Sequence, residues 1–212
     1  DTRQVLRRFE TEQQTLAMLD HPGVARVYDA GVSGGGRPYF VMEYIDGEPI
    51  NSCCDERKLT IDQRLKLFQS VCAAVSYAHS FGIIHRDLKP SNIMVTLHDG
   101  KPVPKVIDFG VSKALSQQLT EKTLFTAYGQ MIGTPAYMSP EQMNGQPLGP
   151  ASDQFSFFVG LFEALYAERP YAGKTLEQLR ETVQAHRLAR PSGTRRVPRS
   201  LHLLVERGLA PN

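Results

Sequence analysis

Apolar and polar positions divide the chain into a short mixed segment and a longer, mainly helical one. Residues 3–19 carry apolar side chains at helical spacing, whereas 24–32 and 39–44 read as two strands joined through a glycine-containing turn. Beyond residue 47 the pattern becomes helical and remains largely so. We therefore predict a chain of the α+β class, with a hairpin near its start and helices after it.

Several later stretches predict individual helices. Thr60 and Gln63 form a capping box, and a helix of about five turns follows with apolar residues at offsets of four and three: Ile61, Leu65, Phe68, Cys72 and Val75. Residues 151–166 are apolar nearly all round, which predicts a buried helix. Asp153 near its start either caps that helix or braces a neighbouring loop. Two shorter stretches predict surface helices: residues 176–186 and 201–209.

A polar cluster lies between two short apolar runs in the middle of the chain. The segment IHRDLKPSNIMV, residues 84–95, places an acid, a base and an amide at fixed offsets. Its flanks, Ile83-Ile84 and Ile93–Val95, predict two short buried strands, so the cluster is a tight loop on a rigid base. A second acid, Asp108, ends the strand predicted over 103–107. The pattern is typical of a catalytic loop.

Composition narrows the class of protein. The 212 residues include 24 Lys and Arg against 22 Asp and Glu, and a net charge of +2 favours neither nucleic-acid nor membrane-surface binding. The three cysteines are an odd number without zinc-ligand spacing, which is typical of reduced thiols. No apolar run reaches the ~18 residues of a membrane span, and no signal-peptide pattern is present. We expect a soluble, cytoplasmic chain.

Two features of the first segment each allow a purely structural and a functional interpretation. Glu12 lies on the apolar stripe of the first helix, either as a partly exposed edge residue or as the partner of a buried cation. The glycines at 34–36 resemble a phosphate cradle, but no Lys-Ser/Thr follows them and no Gly-x-Gly-x-x-Gly occurs. A flexible turn is the favoured reading of these glycines.

Three motifs occur in a fixed order along the chain. They are His-Arg-Asp-Leu at 85–88 with Asn92, Asp-Phe-Gly at 108–110, and Ser-Pro-Glu at 139–141. Together with the runs IIHRDLKPSNIMV, KVIDFGVSKAL and GTPAYMSPEQ, they resemble eukaryotic-type serine/threonine protein kinases, especially the bacterial branch. The resemblance covers nearly the whole chain. It implies a two-lobe kinase fold, with a partial N-lobe over 1–45 and a truncated, mainly helical C-lobe over 46–212.

The resemblance also implies catalytic roles. Asp87 orients the substrate hydroxyl and accepts its proton, Lys89 offsets charge on the transferring phosphoryl group, and Asn92 with Asp108 holds Mg²⁺ against the ATP phosphates. Lys89, together with the Gly-Thr-Pro run that contains Thr134, resembles the serine/threonine-specific version. The expected cofactors are ATP and Mg²⁺, and the expected partners are proteins with Ser or Thr hydroxyls.

An adenine site is implied at residues 42–47, a polar, glycine-containing segment after the second strand that is a candidate hinge. Met42 resembles the gatekeeper, the Glu43 carbonyl and the Ile45 amide are placed to bond the adenine edge, and Met94 resembles the floor beneath the base. Without the family, these four would read as ordinary strand and core positions.

Other positions receive structural or regulatory roles from the resemblance. Four match a stack of side chains that links the two lobes: Leu16, Val27, His85 and Phe109. This gives His85 a packing role rather than a catalytic one. Arg86 beside Asp87 resembles the type that pairs with a phosphorylated loop, for which Thr126 and then Thr123 are the candidate sites. The remaining structural positions are Glu12, Gly110, Thr134, Glu141 and Asp153.

Both ends of the chain depart from the family pattern. Only eleven residues precede Glu12, so the glycine-rich loop and its strand lysine are absent, and the chain stops at Asn212 before the Arg that usually pairs with Glu141. We expect a fragment of a longer kinase that is impaired alone. The alternative is an inactive, pseudokinase-like binding scaffold. A small-molecule kinase is disfavoured, because that class lacks the Gly-Thr-Pro and Ser-Pro-Glu motifs.

Overall fold

The computed structural model describes residues 16–34, 38–109, 135–192 and 196–211. Within them the chain forms five strands and six α-helices, in agreement with the predicted α+β class. The order is β1 (Val27–Val32), β2 (Pro38–Met42), β3 (Glu48–Pro49), α1 (Ile50–Glu56), α2 (Ile61–Ser80), β4 (Ile93–His98), β5 (Lys101–Val106), α3 (Pro140–Met143), α4 (Pro150–Tyr166), α5 (Leu176–Gln184) and α6 (Arg199–Gly208). Short 3₁₀ turns lie at Pro90–Asn92 and Pro135–Tyr137.

The strands form two antiparallel sheets. β1 and β2 make the predicted hairpin, although β1 begins later than expected and Val24 forms only an isolated parallel bridge to Val106. β3, β4 and β5 form a three-stranded sheet with β4 in the centre. The turn between β4 and β5 has positive φ at Asp99 (50°) and Gly100 (72°), as the Asp-Gly pair predicts. This second sheet supports the end of the central loop.

The predicted strand at Ile83-Ile84 is wrong. Both residues are half-buried but pair with no strand of the described chain. Gly82, with φ of 74°, turns the chain out of α2, and the Ile83 N–H bonds back to the Ala78 carbonyl oxygen at 3.1 Å. Two apolar residues after a helix therefore serve as its C-terminal closure instead of joining a sheet.

Helix α2 begins as predicted, and its predicted apolar positions, with one exception, lie in the core or pack against it. The Thr60 hydroxyl accepts from the Gln63 amide at 3.3 Å, and Gln63 Oε1 accepts from the Thr60 amide at 2.9 Å. Cys72, expected on the apolar stripe, is exposed. The buried residues are Arg64, Leu67, Phe68, Val71, Ala74, Val75 and Ala78. The buried face thus also includes a charged residue, Arg64, which is 1% exposed.

Arg64 is buried because its guanidinium group donates four hydrogen bonds. Nε donates to the Leu59 carbonyl at 2.9 Å, and Nη2 donates to the Cys54 carbonyl at 2.6 Å. Nη1 donates to Asp55 Oδ1 and to the Ala164 carbonyl, both at 2.8 Å. One side chain thus ties α1, the loop after it and α4 to α2.

We expect Arg64→Lys to lower the free energy of unfolding by about 1–3 kcal/mol, because an ammonium group cannot replace the planar fork of donors. Urea denaturation of both proteins measures the change. The matched control is Arg57→Lys, since Arg57 is partly exposed and pairs with Glu48 at the surface. Its expected cost is about 0.5 kcal/mol or less. Equal costs at the two positions would contradict the role given to Arg64.

The core is centred on α4, as its apolar sequence predicts. Its buried residues include Phe155, Val159, Phe162 and Leu165. Leu16 and Leu19, at the end of the predicted first helix, belong to the same cluster. The central loop therefore packs against helix α4 and against the three-stranded sheet.

Among the described helices, none combines the length and apolar character that a membrane crossing requires.

Candidate active site

The loop between α2 and β4 brings the three predicted catalytic residues together. Lys89 Nζ lies 2.7 Å from Asp87 Oδ2. Asn92 Nδ2 donates to the Asp87 carbonyl at 2.8 Å and to Asp87 Oδ2 at 3.2 Å. The Asp87 side chain is 44% exposed, and among the described residues its bonds end on Oδ2 alone. Within the described part of the chain, Asp87 is thus fixed through one carboxylate oxygen, and the other has no hydrogen-bond partner there.

Asp108 is placed next to this loop by the pairing of β4 with β5. Ile93 lies opposite Val106, and the Ile107 N–H donates to the Asn92 carbonyl at 2.9 Å. Asp108 follows directly and has φ of 61°, in the left-handed region that non-glycine residues seldom adopt. This local strain turns the chain out of the strand immediately beside Asn92.

His85 connects the two acidic segments from within the core. It is fully buried, and its ring lies against Phe109 with centroids 4.7 Å apart. Nε2 lies 3.0 Å from the Ile107 carbonyl oxygen, and Nδ1 lies 3.3 Å from the Asp87 amide nitrogen. A neutral ring with its proton on Nε2 satisfies both contacts, because Nδ1 then accepts from the Asp87 N–H. The structure places His85 in a packing position and adds a positioning contact on each side.

Burial lowers the pKa of His85, so we expect stability to fall on acidification. The unfolded chain binds a proton below about pH 6.5 that the folded ring resists, and the free energy of unfolding therefore decreases as pH falls below that value. Denaturation midpoints between neutral and mildly acidic pH measure this slope. The slope should persist in His98→Gln, since His98 is exposed, and should weaken in His85→Gln. An unchanged slope in His85→Gln would contradict this origin.

Asp153 braces the loop from α4. Its carboxylate is 1% exposed; Oδ2 accepts from the His85 amide at 2.7 Å, and Oδ1 accepts from the Arg86 amide at 2.8 Å. His79 Nε2 lies 2.8 Å from Oδ2. The N-cap position of α4 is Gly149. Of the two roles that the sequence leaves open for Asp153, the structure therefore shows bracing of the loop.

A second brace comes from the start of α3, and the motif reading does not include it. Gln142 Nε2 donates to the Arg86 carbonyl, while the Ser139 hydroxyl accepts from the Gln142 amide at 3.3 Å. Ser139 and Gln142 form a capping box, a spacing that is visible in the sequence. Glu141 lies on the same short helix, and among the described residues its Oε2 is buried without a hydrogen-bond partner.

The hinge after β2 is anchored through a side chain. The Glu43 amide donates to the Arg26 carbonyl at 2.8 Å, and Glu43 Oε2 accepts from the Arg26 amide at 3.2 Å. Glu43 Oε1 accepts from Lys105 Nζ of β5. Although burial alone raises the pKa of Glu43, these bonds hold it below its usual value. Met94 lies opposite Lys105 on β4, and Ile45 is half-buried two residues after Glu43.

The remaining predicted positions divide into two groups. Leu16 and Phe109 belong to the core cluster, and Val27 packs against it, so this part of the predicted stack is contiguous with His85. Five other predicted positions lie outside the described residues: Glu12, Gly110, Thr123, Thr126 and Thr134.

Known proteins resemble this chain in sequence and in fold. A family model described as the protein kinase domain matches residues 1–206. The serine/threonine-protein kinase PknA of Mycobacterium tuberculosis is 40% identical over 173 residues, which cover 79% of this chain and 38% of PknA. The serine/threonine-protein kinase PknB of Mycobacterium leprae is 37% identical over 170 residues, which cover 78% of this chain and 26% of PknB. The chain thus spans less than two fifths of the length of these curated relatives.

One solved structure with the same fold is the crystal structure of Rad53 1-466 in complex with AMP-PNP. It superposes with a TM-score of 0.76 over 96% of this chain and 50% of that chain, at 23% sequence identity. The likeness shows a kinase fold of two lobes, of which the described residues form part of the smaller lobe and a mainly helical larger one.

Proposed function

The chain belongs to the protein kinase domain family, and we propose that it carries the catalytic loop of an Mg²⁺- and ATP-dependent serine/threonine protein kinase. The observation that supports this most strongly is the geometry at Asp87. Lys89 and Asn92 both bond to its Oδ2, which leaves the other oxygen for a substrate hydroxyl. The curated relatives PknA and PknB are named serine/threonine-protein kinases, which is consistent with this substrate class.

The proposed chemistry uses Asp87 as the proton acceptor. The hydroxyl oxygen of a substrate Ser or Thr forms a bond to the γ-phosphorus of ATP, the bond from that phosphorus to ADP breaks, and the hydroxyl proton passes to the open carboxylate oxygen. Lys89, held 2.7 Å from Oδ2, reduces the negative charge around the transferring group. Asn92 keeps the carboxylate oriented through its two bonds to Asp87.

Asn92 and Asp108 offer a donor set that fits Mg²⁺. Asn92 Nδ2 is used on Asp87, so its amide oxygen is the atom that remains for a cation. An amide oxygen and a carboxylate are hard ligands, and Mg²⁺ is commonly held by one or two such groups together with substrate phosphates. A cluster of three His, Cys, Asp or Glu ligands, which the described residues lack, is not required. When bound, the ion would neutralise phosphate charge.

The hinge is the proposed adenine site. The Glu43 carbonyl and the Ile45 amide would bond the adenine edge, with Met42 beside the base and Met94 beneath it. The ion pair between Glu43 and Lys105 supports this assignment, because it fixes the hinge backbone to β5. The AMP-PNP complex of the structural neighbour is consistent with a nucleotide site on this fold.

Organisation, location and regulation are further proposals. We place the smaller lobe at 1–45 and the larger at 46–212, since β1 and β2 form a sheet separate from β3, β4 and β5. Three free cysteines support a reducing, cytoplasmic setting. Phosphorylation at Thr126 or Thr123 would act through Arg86, which lies next to Asp87 in the loop.

Nucleotide binding by the full-length gene product that contains this chain tests the proposed cofactors. We expect ATP with Mg²⁺ to raise its melting temperature more than ATP with EDTA does, because ligand binding to the folded state is stabilising. Asp108→Asn should lose the Mg²⁺-dependent part of the shift, whereas Asp99→Asn, in the exposed turn between β4 and β5, should keep it. An equal shift with EDTA in the wild-type protein would contradict the proposed metal site.

A further inference from the structure

A cavity of about 360 Å³ lies beside the catalytic loop, and the proposed chemistry does not use it. Its walls come from α1, the loop after Asp87, the 3₁₀ turn at 135–137, α4 and the segment after α4. The side chains that matter here are Asn51, Lys89, Ser91, Tyr137, Glu163 and Arg169. Lys89 and Ser91 follow Asp87 by two and four residues. A peptide whose hydroxyl lies at Asp87 therefore passes this cavity within a few residues.

Glu163 is the one carboxylate that the described residues contribute to the cavity wall, and both of its oxygens have partners. Its side chain is 23% exposed. Oε2 accepts from Asn51 Nδ2 at 3.0 Å and from the Tyr137 hydroxyl, and Oε1 lies 3.6 Å from Arg169 Nε. Burial, and then the bond to Glu163, raise the pKa of Tyr137, so its hydroxyl remains a donor. The carboxylate is held in place from three directions.

Arg169 occupies the position where a carboxylate and an aromatic face meet. Its guanidinium carbon lies 5.7 Å from the centre of the Tyr137 ring, and its Nε faces Glu163. A carboxylate next to an aromatic face is the combination that binds guanidinium and ammonium groups. Here that combination is satisfied by a residue of the same chain.

The charges of the cavity wall then work against a basic ligand. Among the described residues of the wall, Glu163 faces the cation Arg169, and the charge of Lys89 is engaged by Asp87 at 2.7 Å. Glu163 therefore offers no unpaired negative charge to a basic ligand. Ser91 and Asn51 add polar groups, and Asn51 Oδ1 has no hydrogen-bond partner among the described residues. A second cation entering the cavity would meet like charge, whereas a carboxylate would meet opposite charge.

We propose that this cavity is a specificity site for a substrate side chain near the phosphorylated residue, in which Arg169 occupies the cation position, so that basic side chains are rejected and acidic ones accepted. The proposal rests on the proposed kinase function. Arg169 is a specificity-determining residue in this scheme and has no part in phosphoryl transfer.

The contacts of Arg169 are suited to a test by substitution. Its side chain is 46% exposed, and the 3.6 Å separation from Glu163 exceeds a normal hydrogen bond. Partly exposed pairs of this kind contribute little to folding stability. Arg169→Gln should therefore fold and leave Glu163 held by Asn51 and Tyr137.

The test measures kcat/KM of the full-length gene product on one serine peptide, with Arg, Ala or Glu substituted at each flanking position in turn. At one position we expect the wild-type protein to use the Arg peptide roughly fivefold to tenfold less well than the Ala peptide, and the Glu peptide better than either. Arg169→Gln should abolish or reverse the rejection of Arg. Arg169→Lys should retain it, as should the control Arg180→Gln, an exposed residue on α5.

The Ala peptide separates this inference from the proposed function. Suppose that the wild-type protein and all variants phosphorylate the Ala peptide. If Arg169→Gln then keeps the wild-type ratio of kcat/KM between the Arg and Ala peptides, the inference is overturned and the kinase function stands. If the wild-type protein does not phosphorylate the Ala peptide, the proposed kinase function itself is overturned. Should Arg169→Gln fail to fold, the wild-type ratio decides, because equal or better use of the Arg peptide at every position contradicts the proposal.

Discussion

Asp87→Asn is expected to reduce kcat for phosphoryl transfer by about 10²- to 10⁴-fold, the usual contribution of a general base. The amide cannot accept the hydroxyl proton, but its size keeps it within reach of Lys89 and Asn92, which both contact Oδ2 in the wild-type protein. We expect the KM for ATP to change little, because the proposed nucleotide contacts lie at Glu43, Ile45 and Met94. Steady-state kinetics with a serine peptide measure both constants.

The matched control for Asp87→Asn is Asp99→Asn. Asp99 is exposed in the turn between β4 and β5, and its φ of 50° suits Asn as well as Asp. Its kcat should equal that of the wild-type protein. A rise in the KM for the peptide in Asp87→Asn, with kcat retained, would mean that Asp87 binds substrate without accepting its proton.

Asp153→Asn is expected to lower the free energy of unfolding by about 2–4 kcal/mol. The buried carboxylate accepts bonds from the backbone amides of His85 and Arg86 and contacts His79. An amide offers one acceptor oxygen and turns an NH₂ group toward another donor. We also expect kcat to fall, because Arg86 directly precedes Asp87. Denaturant unfolding and kinetics on the same sample measure the two effects.

Asp62→Asn is the control for Asp153, since Asp62 also lies in the first turn of a helix but is exposed. Its cost should be about 0.5 kcal/mol or less. If Asp153→Asn proved as mild as Asp62→Asn, the bracing contacts would not determine the position of the loop.

Local patterns accounted for much of the fold. The hairpin, the capping box at Thr60 and the apolar helix at 151–166 depend on neighbouring residues, and the sequence predicted each of them. Arg64 was missed because its burial depends on the Ala164 carbonyl, 100 positions away. The expected strand at Ile83-Ile84 failed for the same reason, since a strand requires a partner that no local pattern supplies.

The candidate site shows the same division between local and distant information. The motifs predicted the group of Asp87, Lys89 and Asn92, which lie within six residues of one another. Glu163 was not predicted, because its partners Asn51 and Tyr137 are 112 and 26 positions distant. Residues that brace or shape a site in this way carry no short motif, and three-dimensional packing identifies them.

The role of His85 became more definite in the structure. The family resemblance gives this residue a place in a packed stack, and the ring does lie against Phe109. Its two nitrogens also contact the chain at Asp87 and at Ile107, the residue before Asp108. The same buried ring therefore couples the proposed proton acceptor to the proposed metal ligand, which neither the motif nor its spacing indicates.

Phosphate transfer by the full-length gene product is the most direct test of the proposed function. Three peptides that differ only in a Ser, Thr or Tyr acceptor are incubated with ATP and Mg²⁺, and the products are identified by mass spectrometry. We expect phosphate on the Ser and Thr hydroxyls, little on Tyr, and loss of transfer with EDTA or in Asp87→Asn. Equal transfer by wild-type protein and Asp87→Asn, or transfer mainly to Tyr, would contradict a serine/threonine kinase that works through Asp87.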